Sequence, residues 1–162
     1  MPPYEIICVE GDKNRLTQVI SNLLNNAQNF TEKGVISILM EIKRGSEEDN
    51  NKSQIEVTIK DTGVGISQDV LPRLFSKFAT CSPRGTGLGL YISMNIVEAH
   101  RGKMWAENNQ DCKGASFHFT LPLVINNQKV QNNNNSNNNC RIVKGYFYKA
   151  TTKVKPRLIV VT

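Results

Sequence analysis

Residues capable of metal or nucleotide chemistry concentrate in three short stretches of this 162-residue chain. In the first, Asn22 and Asn26 stand four residues apart within an apolar helical pattern, so both amides lie on one face of the predicted helix. An amide oxygen is a hard, uncharged ligand of the kind that Mg²⁺ accepts beside water and phosphate. The pair could therefore hold a metal ion. The alternative is two polar residues on a solvated helix face.

The second stretch places a carboxylate at the end of a strand. Asp61 follows an alternating apolar and polar run and precedes Gly63 and Gly65. A carboxylate accepts the exocyclic amino hydrogen of adenine but would face the carbonyl oxygen of guanine. Because a buried unpaired acceptor costs about 1–3 kcal/mol, one aspartate can select adenine. The glycines allow the backbone to approach the base closely, although an ordinary turn after a strand would have the same composition.

The third stretch contains Gly85, Gly87 and Gly89 and leads into a second predicted helix. Free N–H groups and the positive end of a helix dipole bind phosphate without a basic side chain. The spacing differs from the dinucleotide-binding fingerprint. Arg84 precedes the glycines and is a candidate for the terminal phosphate through charge-assisted bonds, or an ordinary surface arginine. Together the three stretches predict a site for ATP with magnesium.

The elements that position these residues follow from apolar periodicity and turn signals. Asp12 is placed to cap the first helix, Ser67 to begin a short helix through Leu74, and Gly102 to end the second long helix near His100. Strands are predicted around residues 4–9, 35–40, 55–59, 103–107 and 115–123. The fold class expected is an α/β two-layer sandwich, with a mixed, largely antiparallel sheet and helices packed on one face.

Composition limits the partners and the extent of the folded part. The net charge of +6 is dispersed, so we expect no nucleic-acid partner. No apolar run spans a bilayer, which predicts a cytoplasmic chain whose parent protein could still be anchored in a membrane. An asparagine-rich tract predicts a disordered linker at 126–140. We therefore expect a catalytic domain at 1–125 and an unassigned tail, or the start of a following domain, at 141–162.

The motifs resemble those of the GHKL superfamily, which joins gyrase-type topoisomerases, a heat-shock chaperone, mismatch-repair ATPases and sensor histidine kinases. The closer likeness is to the catalytic and ATP-binding domain of histidine kinases, particularly of the hybrid, phosphorelay type. The phrases that carry it are residues 15–27 with Phe30 and Thr31, residues 74–78, residues 96–100, residues 114–117, and Leu121 with Pro122.

The resemblance implies a role for individual residues. Asn26 would coordinate Mg²⁺ with Asn22 nearby, Asp61 would read adenine, and Phe75 and Phe78 would anchor a lid at residues 79–84. The implied ATP-binding residues are Asn22, Asn26, Asn29, Asp61, Gly63, Gly65, Ile66, Phe78, Gly85, Thr86, Gly87, Leu88, Gly89 and Leu90.

Two positions depart from the family pattern. Asn29 stands where histidine kinases often carry a lysine, so one phosphate contact would be weaker or would be supplied elsewhere, by Lys77 or Arg84. Arg101 stands where the family usually has glycine, at the close of a helix.

The resemblance also separates three possible activities. Hydrolytic relatives use a glutamate as general base where this chain has Asn22, and an amide accepts no proton at neutral pH. A kinase would instead pass the γ-phosphoryl group to a histidine on a separate helical hairpin, and a receiver domain would follow downstream. His100 and His118 lack the acidic neighbour of an acceptor histidine. A nucleotide-responsive binding module without catalysis, or a GHKL ATPase, is the alternative.

Overall fold

The computed structural model describes residues 5–44, 53–79, 86–110, 113–123, 142–147 and 157–161. The helices are α1 (Lys13–Phe30) and α2 (Gly89–Ala99), with one 3₁₀ turn at Leu71–Arg73. The strands are β1 (Glu5–Glu10), β2 (Val35–Lys43), β3 (Gln54–Asp61), β4 (Met104–Asn108), β5 (Ala115–Pro122), β6 (Ile142–Phe147) and β7 (Arg157–Val161).

The main sheet has five strands in the order β4-β5-β3-β2-β7, and a separate two-stranded sheet pairs β1 with β6. Every pairing between these strands is antiparallel. The α/β fold with helices against an antiparallel sheet is as predicted. The sequence predicted a mixed, largely antiparallel sheet, whereas the described strands pair without a parallel neighbour.

Helix α1 forms because its start is capped and its apolar stripe is buried. The Asp12 carboxylate accepts hydrogen bonds from the backbone N–H groups of Asn14 and Arg15, at 2.9 and 3.2 Å, which confirms the predicted cap. Leu16, Val19, Leu23 and Ala27 recur at helical spacing and are buried against the sheet. This packing fixes which face of the helix carries the remaining polar residues.

The core lies between the helices and one face of the main sheet. Strand β3 alternates buried and half-buried residues along its length, as a strand with one covered face does. Phe119 and Ile59 supply large, fully buried side chains from neighbouring strands. The last residue of β3, Asp61, is 3% exposed although its side chain is ionisable. The fold thus delivers a carboxylate to the end of the core.

One local prediction was wrong, and a second was correct about where the helix ends but not about which residue takes positive φ. The helix expected between Ser67 and Leu74 is a single 3₁₀ turn, because Pro72 removes an N–H group that a longer helix would use. Helix α2 ends at Ala99, and Arg101 rather than Gly102 adopts positive φ, at 61°. Gly102 instead packs against Thr120, whose carbonyl oxygen would lie 1.9 Å from a Cβ there.

Two strands occupy the region that the sequence left unassigned. Strand β7 pairs with β2, and β6 pairs with β1. The proposed linker at 126–140 lies outside the described residues, so the domain boundaries stay a prediction. Neither helix in the described part of the chain has the length and hydropathy needed to cross a membrane.

Candidate functional site

A cavity of about 790 Å³ lies where α1, the loop after β3 and the start of α2 meet. Part of its lining is apolar, including Val70, Leu74 and Phe117. The predicted site residues that line it are Asn26, Asn29, Asp61, Gly65, Ile66, Thr86, Gly87, Gly89 and Leu90. Residues from all three stretches of the sequence therefore surround one space, which is large enough for a nucleotide.

Asp61 is held in a fixed orientation at the wall of this cavity. Its Oδ1 accepts hydrogen bonds from the backbone N–H groups of Gly63, at 2.9 Å, and Ala115, at 3.3 Å. Its Oδ2 makes no hydrogen bond to the described residues, and Asp61 lines the cavity. The carboxylate therefore has one oxygen bound to the protein and one that can accept a hydrogen from a ligand.

Asn26 and Asn29 lie on the side of the cavity formed by α1. Neither side chain makes a hydrogen bond to the described residues, so the Asn26 amide oxygen is available to a metal ion. Among the described residues that line the cavity, Asp61 carries the one charged side chain. A neutral oxygen donor suits Mg²⁺, which takes its other ligands from phosphate and water.

Asn22 has a different position from Asn26 although both lie on one helix face. Its Nδ2 donates to the Gly89 carbonyl oxygen, at 3.3 Å, and to Ser93 Oγ, at 3.1 Å. Since a carbonyl oxygen can only accept, the nitrogen of this amide must face α2. Ser93 is fully buried. Asn22 thus connects α1 to the first turn of α2 and is absent from the cavity lining.

The start of α2 supplies free backbone donors to another part of the cavity wall. Its N-cap residue, Leu88, offers no side-chain hydrogen bond. The first N–H groups of a helix have no partner within the helix, and Gly87 and Gly89 line the cavity beside them. This arrangement provides backbone donors and the positive end of a helix dipole to an anion.

The base of the expected lid is fixed by its two ends. The Phe78 N–H donates to the Gly87 carbonyl oxygen at 3.0 Å. Phe78 has φ of 65° and is 71% exposed, a conformation that bulky residues rarely adopt. The Lys77 ammonium lies 5.2 Å from the ring centroid of Tyr91 on α2, within cation–π range. Arg84 lies outside the described residues.

Several predicted contacts are not at the cavity wall. Gly63 acts through its hydrogen bond to Asp61, while Phe78 and Leu88 lie at the lid base and the helix cap. Gly85, like Arg84, falls outside the described residues. The assignment of all these residues as nucleotide contacts stays a prediction.

Sequence reasoning missed the residues that support Asp61 from β4 and β5. Asn108 Oδ1 accepts from the Ile66 N–H and its Nδ2 donates to the Ile66 carbonyl oxygen, both at 2.7 Å. Asn109 Nδ2 donates to the Asp61 carbonyl oxygen at 2.7 Å. A Cβ at Gly114, whose φ is 101°, would lie 2.1 Å from that same oxygen. The paired asparagines at a strand end were a visible signal, but their partners are more than 40 residues away.

Neither of the two histidines points to catalysis in this site. His100 Nε2 accepts from the Asp12 N–H at 3.0 Å, and its Nδ1 lies 2.7 Å from the Ile96 carbonyl oxygen. These bonds join the end of α2 to the start of α1. His118 stacks on Trp105, with ring centroids 5.0 Å apart. It alternates with the core residue Phe117, which lines the cavity, so His118 is on the other face of the sheet.

Comparison with known proteins identifies a protein family that the chain matches. Residues 11–125 match the model of the histidine kinase-, DNA gyrase B- and HSP90-like ATPases. The sensor protein FixL of Bradyrhizobium diazoefficiens is 41% identical over 114 residues, which cover 70% of this chain and 22% of FixL. The first three curated relatives are matched over only 10% to 22% of their own lengths.

Two solved structures share the fold, and one of them is a sensor histidine kinase. The mycobacterial sensor histidine kinase MprB superposes with a TM-score of 0.60 and 28% identity, covering 75% of this chain and 77% of that one. Full-length ShkA in complex with AMPPNP gives a TM-score of 0.56 and 29% identity, covering 71% of this chain and 23% of ShkA. The second of these structures contains an ATP analogue.

Proposed function

The chain belongs to the histidine kinase-, DNA gyrase B- and HSP90-like ATPase family, as a domain of the sensor histidine kinase type, and we propose that it binds Mg-ATP for transfer of the γ-phosphoryl group to a histidine. The acceptor would lie on a dimerisation hairpin of the same parent protein, and a receiver domain would act downstream in a phosphorelay.

The observation that carries the proposal is the orientation of Asp61. With Oδ1 bound by two backbone N–H groups, Oδ2 is left to accept the adenine amino hydrogen. The cavity also has an Asn26 amide without a hydrogen bond to the described residues, and a start of α2 whose N-cap side chain makes no hydrogen bond. These three features suit the base, the metal and the phosphates of one nucleotide.

The residues of this chain would bind and position the nucleotide. Asn26 would hold Mg²⁺ through its amide oxygen, and the bound ion would neutralise charge on the phosphates. Backbone N–H groups at Gly87 and the first turn of α2 would orient the triphosphate. Phosphoryl transfer depends mainly on positioning and charge stabilisation, so a domain without its own base can still support it.

Among the described residues, none that lines the cavity is placed to act as a general base for water, which favours a kinase over an ATPase. Asn22 occupies the position of the hydrolytic base, and its amide donates to Gly89 and Ser93. Asp61 is the one carboxylate among the described lining residues, and it is already hydrogen-bonded. His100 and His118 are engaged in structural contacts, so the acceptor histidine has to come from another domain.

The test is phosphorylation of the parent protein's acceptor hairpin in trans. The chain is mixed with the hairpin, Mg²⁺ and γ-labelled ATP, and acid-labile phosphate on the hairpin is measured. We expect label on the hairpin with the wild-type chain, little label on the chain alone, and none with an Asp61→Asn variant. A hairpin whose acceptor histidine is replaced by alanine serves as the control.

Three results would oppose the proposal in different ways. If calorimetry detects Mg-ADP binding but the hairpin stays unlabelled, the chain is a nucleotide-responsive binding module. If the chain binds neither Mg-ADP nor Mg-ATP, the nucleotide assignment itself is wrong. Steady phosphate release in the absence of any hairpin would indicate a GHKL ATPase.

A further inference from the structure

The loop between β3 and the 3₁₀ turn forms one wall of the cavity but has little structure of its own. Val64 within it is 80% exposed. The Val64 N–H donates to the Phe30 carbonyl oxygen at 3.1 Å, which fixes the first part of the loop to the end of α1. The following residues, Gly65 and Ile66, line the cavity and need a separate anchor.

That anchor is a single amide on the edge strand of the sheet. Asn108 ends β4, which pairs with β5 and not with β3. Both polar ends of its side chain bind the backbone of Ile66, each at 2.7 Å. Both backbone hydrogen-bonding groups of Ile66 are thereby satisfied by one side chain, in the manner of a neighbouring strand. The contact joins the sheet edge to the cavity wall over 42 residues of sequence.

The next residue holds the other side of the same wall. Asn109 Nδ2 donates to the Asp61 carbonyl oxygen at 2.7 Å, and its Oδ1 accepts from Ser116 Oγ at 2.7 Å. The Asn109 N–H also donates to the Gly114 carbonyl oxygen at 3.0 Å, across the β4–β5 hairpin. Asn109 thus fixes the backbone of the residue whose side chain faces the ligand.

We propose that Asn108 and Asn109 are positioning residues for the nucleotide base, and we call the pair the asparagine clamp. Asn108 sets the distance between Ile66 and the base, while Asn109 sets the position of Asp61. Neither asparagine lines the cavity, so the clamp acts through these two residues. The inference rests on the proposed function, since it concerns the base-binding end of the same site.

A bidentate amide contact and simple packing predict different effects of the same substitution at Asn108. In Asn108→Asp the side chain keeps its size and its Oδ1 acceptor for the Ile66 N–H. Its second oxygen, however, faces the Ile66 carbonyl oxygen, where two acceptors repel. A packing role predicts that Asn108→Asp resembles wild type. The clamp predicts that it binds the base as weakly as Asn108→Ala does.

The experiment measures Mg-ADP affinity by calorimetry, well below the melting temperature of each variant. We expect Asn108→Ala and Asn108→Asp to bind ADP about tenfold more weakly, the effect of one or two lost hydrogen bonds. Asn109→Ala, which is judged by the same criterion, covers the case in which Asn108 variants fail to fold. Asn95→Ala is the matched control, because Asn95 donates to the Tyr91 carbonyl oxygen on the exposed side of α2.

Phosphorylation of the acceptor hairpin gives a second readout. The clamp predicts a KM for ATP raised about tenfold with kcat within twofold of wild type, because the base is misplaced while the phosphates keep their donors. The clamp proposal would be overturned if Asn108→Asp, or every clamp variant, bound ADP with wild-type affinity. Either result would leave the proposed function intact. A wild-type chain that binds no ADP would instead refute the proposed function, and the clamp with it.

Discussion

Replacing Asp61 with asparagine tests the geometry of the site most directly. The substitution keeps an oxygen where Oδ1 accepts from Gly63 and Ala115, at 2.9 and 3.3 Å. The new NH₂ group then takes the place of Oδ2 and faces the cavity. Because both the amide and the adenine amino group are donors, the variant cannot form the bond that we assign to the wild-type carboxylate. The fold keeps its hydrogen bonds, while the ligand loses one.

The size of the effect follows from the charge on that bond. A hydrogen bond to an ionised group stabilises by about 1.5–3 kcal/mol, and an unpaired donor adds a further penalty. A total of roughly 2.7 kcal/mol weakens ADP binding about 100-fold. At an ADP concentration of about 100 times the wild-type Kd, the ligand stabilises the wild type by about 2.7 kcal/mol and the variant by about 0.4 kcal/mol.

Thermal melting with and without Mg-ADP measures this difference. At roughly 4 °C per kcal/mol, the wild type should gain about 10 °C and Asp61→Asn less than about 2 °C. The melting temperature without ligand should be nearly equal for the two proteins. Asp69→Asn, the same change at an exposed position outside the cavity lining, is the matched control.

Guanine nucleotides provide the opposite comparison, because the amide of the variant can donate to the guanine carbonyl oxygen. The ratio of GDP to ADP affinity should therefore rise in Asp61→Asn. If the variant binds ADP within twofold of wild type, Oδ2 does not contact the base and our interpretation of the cavity is wrong.

Three further predictions concern the metal, the helix end and the wall of the cavity. Asn26→Ala should weaken ATP binding about tenfold in Mg²⁺ but leave binding in excess EDTA unchanged; an equal loss in both conditions would exclude a metal contact. Arg101→Gly should raise the free energy of unfolding in urea by up to about 1 kcal/mol, because Arg101 has φ of 61°. The affinity for ADP should not change. A variant less stable than wild type would contradict the claim that the backbone is strained at Arg101. Gly114→Ala should cost more than about 2 kcal/mol in the same unfolding experiment, since its Cβ would lie 2.1 Å from the Asp61 carbonyl oxygen. Gly89→Ala, with its nearest atom at 3.9 Å, should be tolerated by the fold, and similar losses for both glycines would refute the argument.

Local patterns in the sequence were sufficient to predict the elements that carry the site. The Asp12 cap and the apolar stripe of α1 depend on neighbours within one or two helical turns. The alternation in β3 likewise identifies which residues are buried and places Asp61 at the strand end. Features determined within about ten residues of sequence can be predicted without a structure.

Contacts between distant segments explain what could not be predicted. The sequence pointed to Gly102 as the left-handed residue that ends α2, but Arg101 adopts that conformation and Gly102 follows it, close to Thr120 on β5. No local pattern in the sequence distinguishes Asn108 and Asn109 from other polar residues that follow a strand. Their roles depend on a loop that is two strands away in the sheet.

Asn22 shows how the same spacing can serve two functions. The four-residue interval made Asn22 and Asn26 look equivalent, but only Asn26 lines the cavity. Asn22 binds Gly89 and Ser93, so it holds the first turn of α2, which we propose binds the phosphates, against α1. A glutamate at position 22 would place a carboxylate beside the Gly89 carbonyl oxygen, where the present amide donates a hydrogen. The amide therefore does more than remove a hydrolytic base, because it fixes the distance between the helix that would carry the metal ligand and the helix that would bind the phosphates.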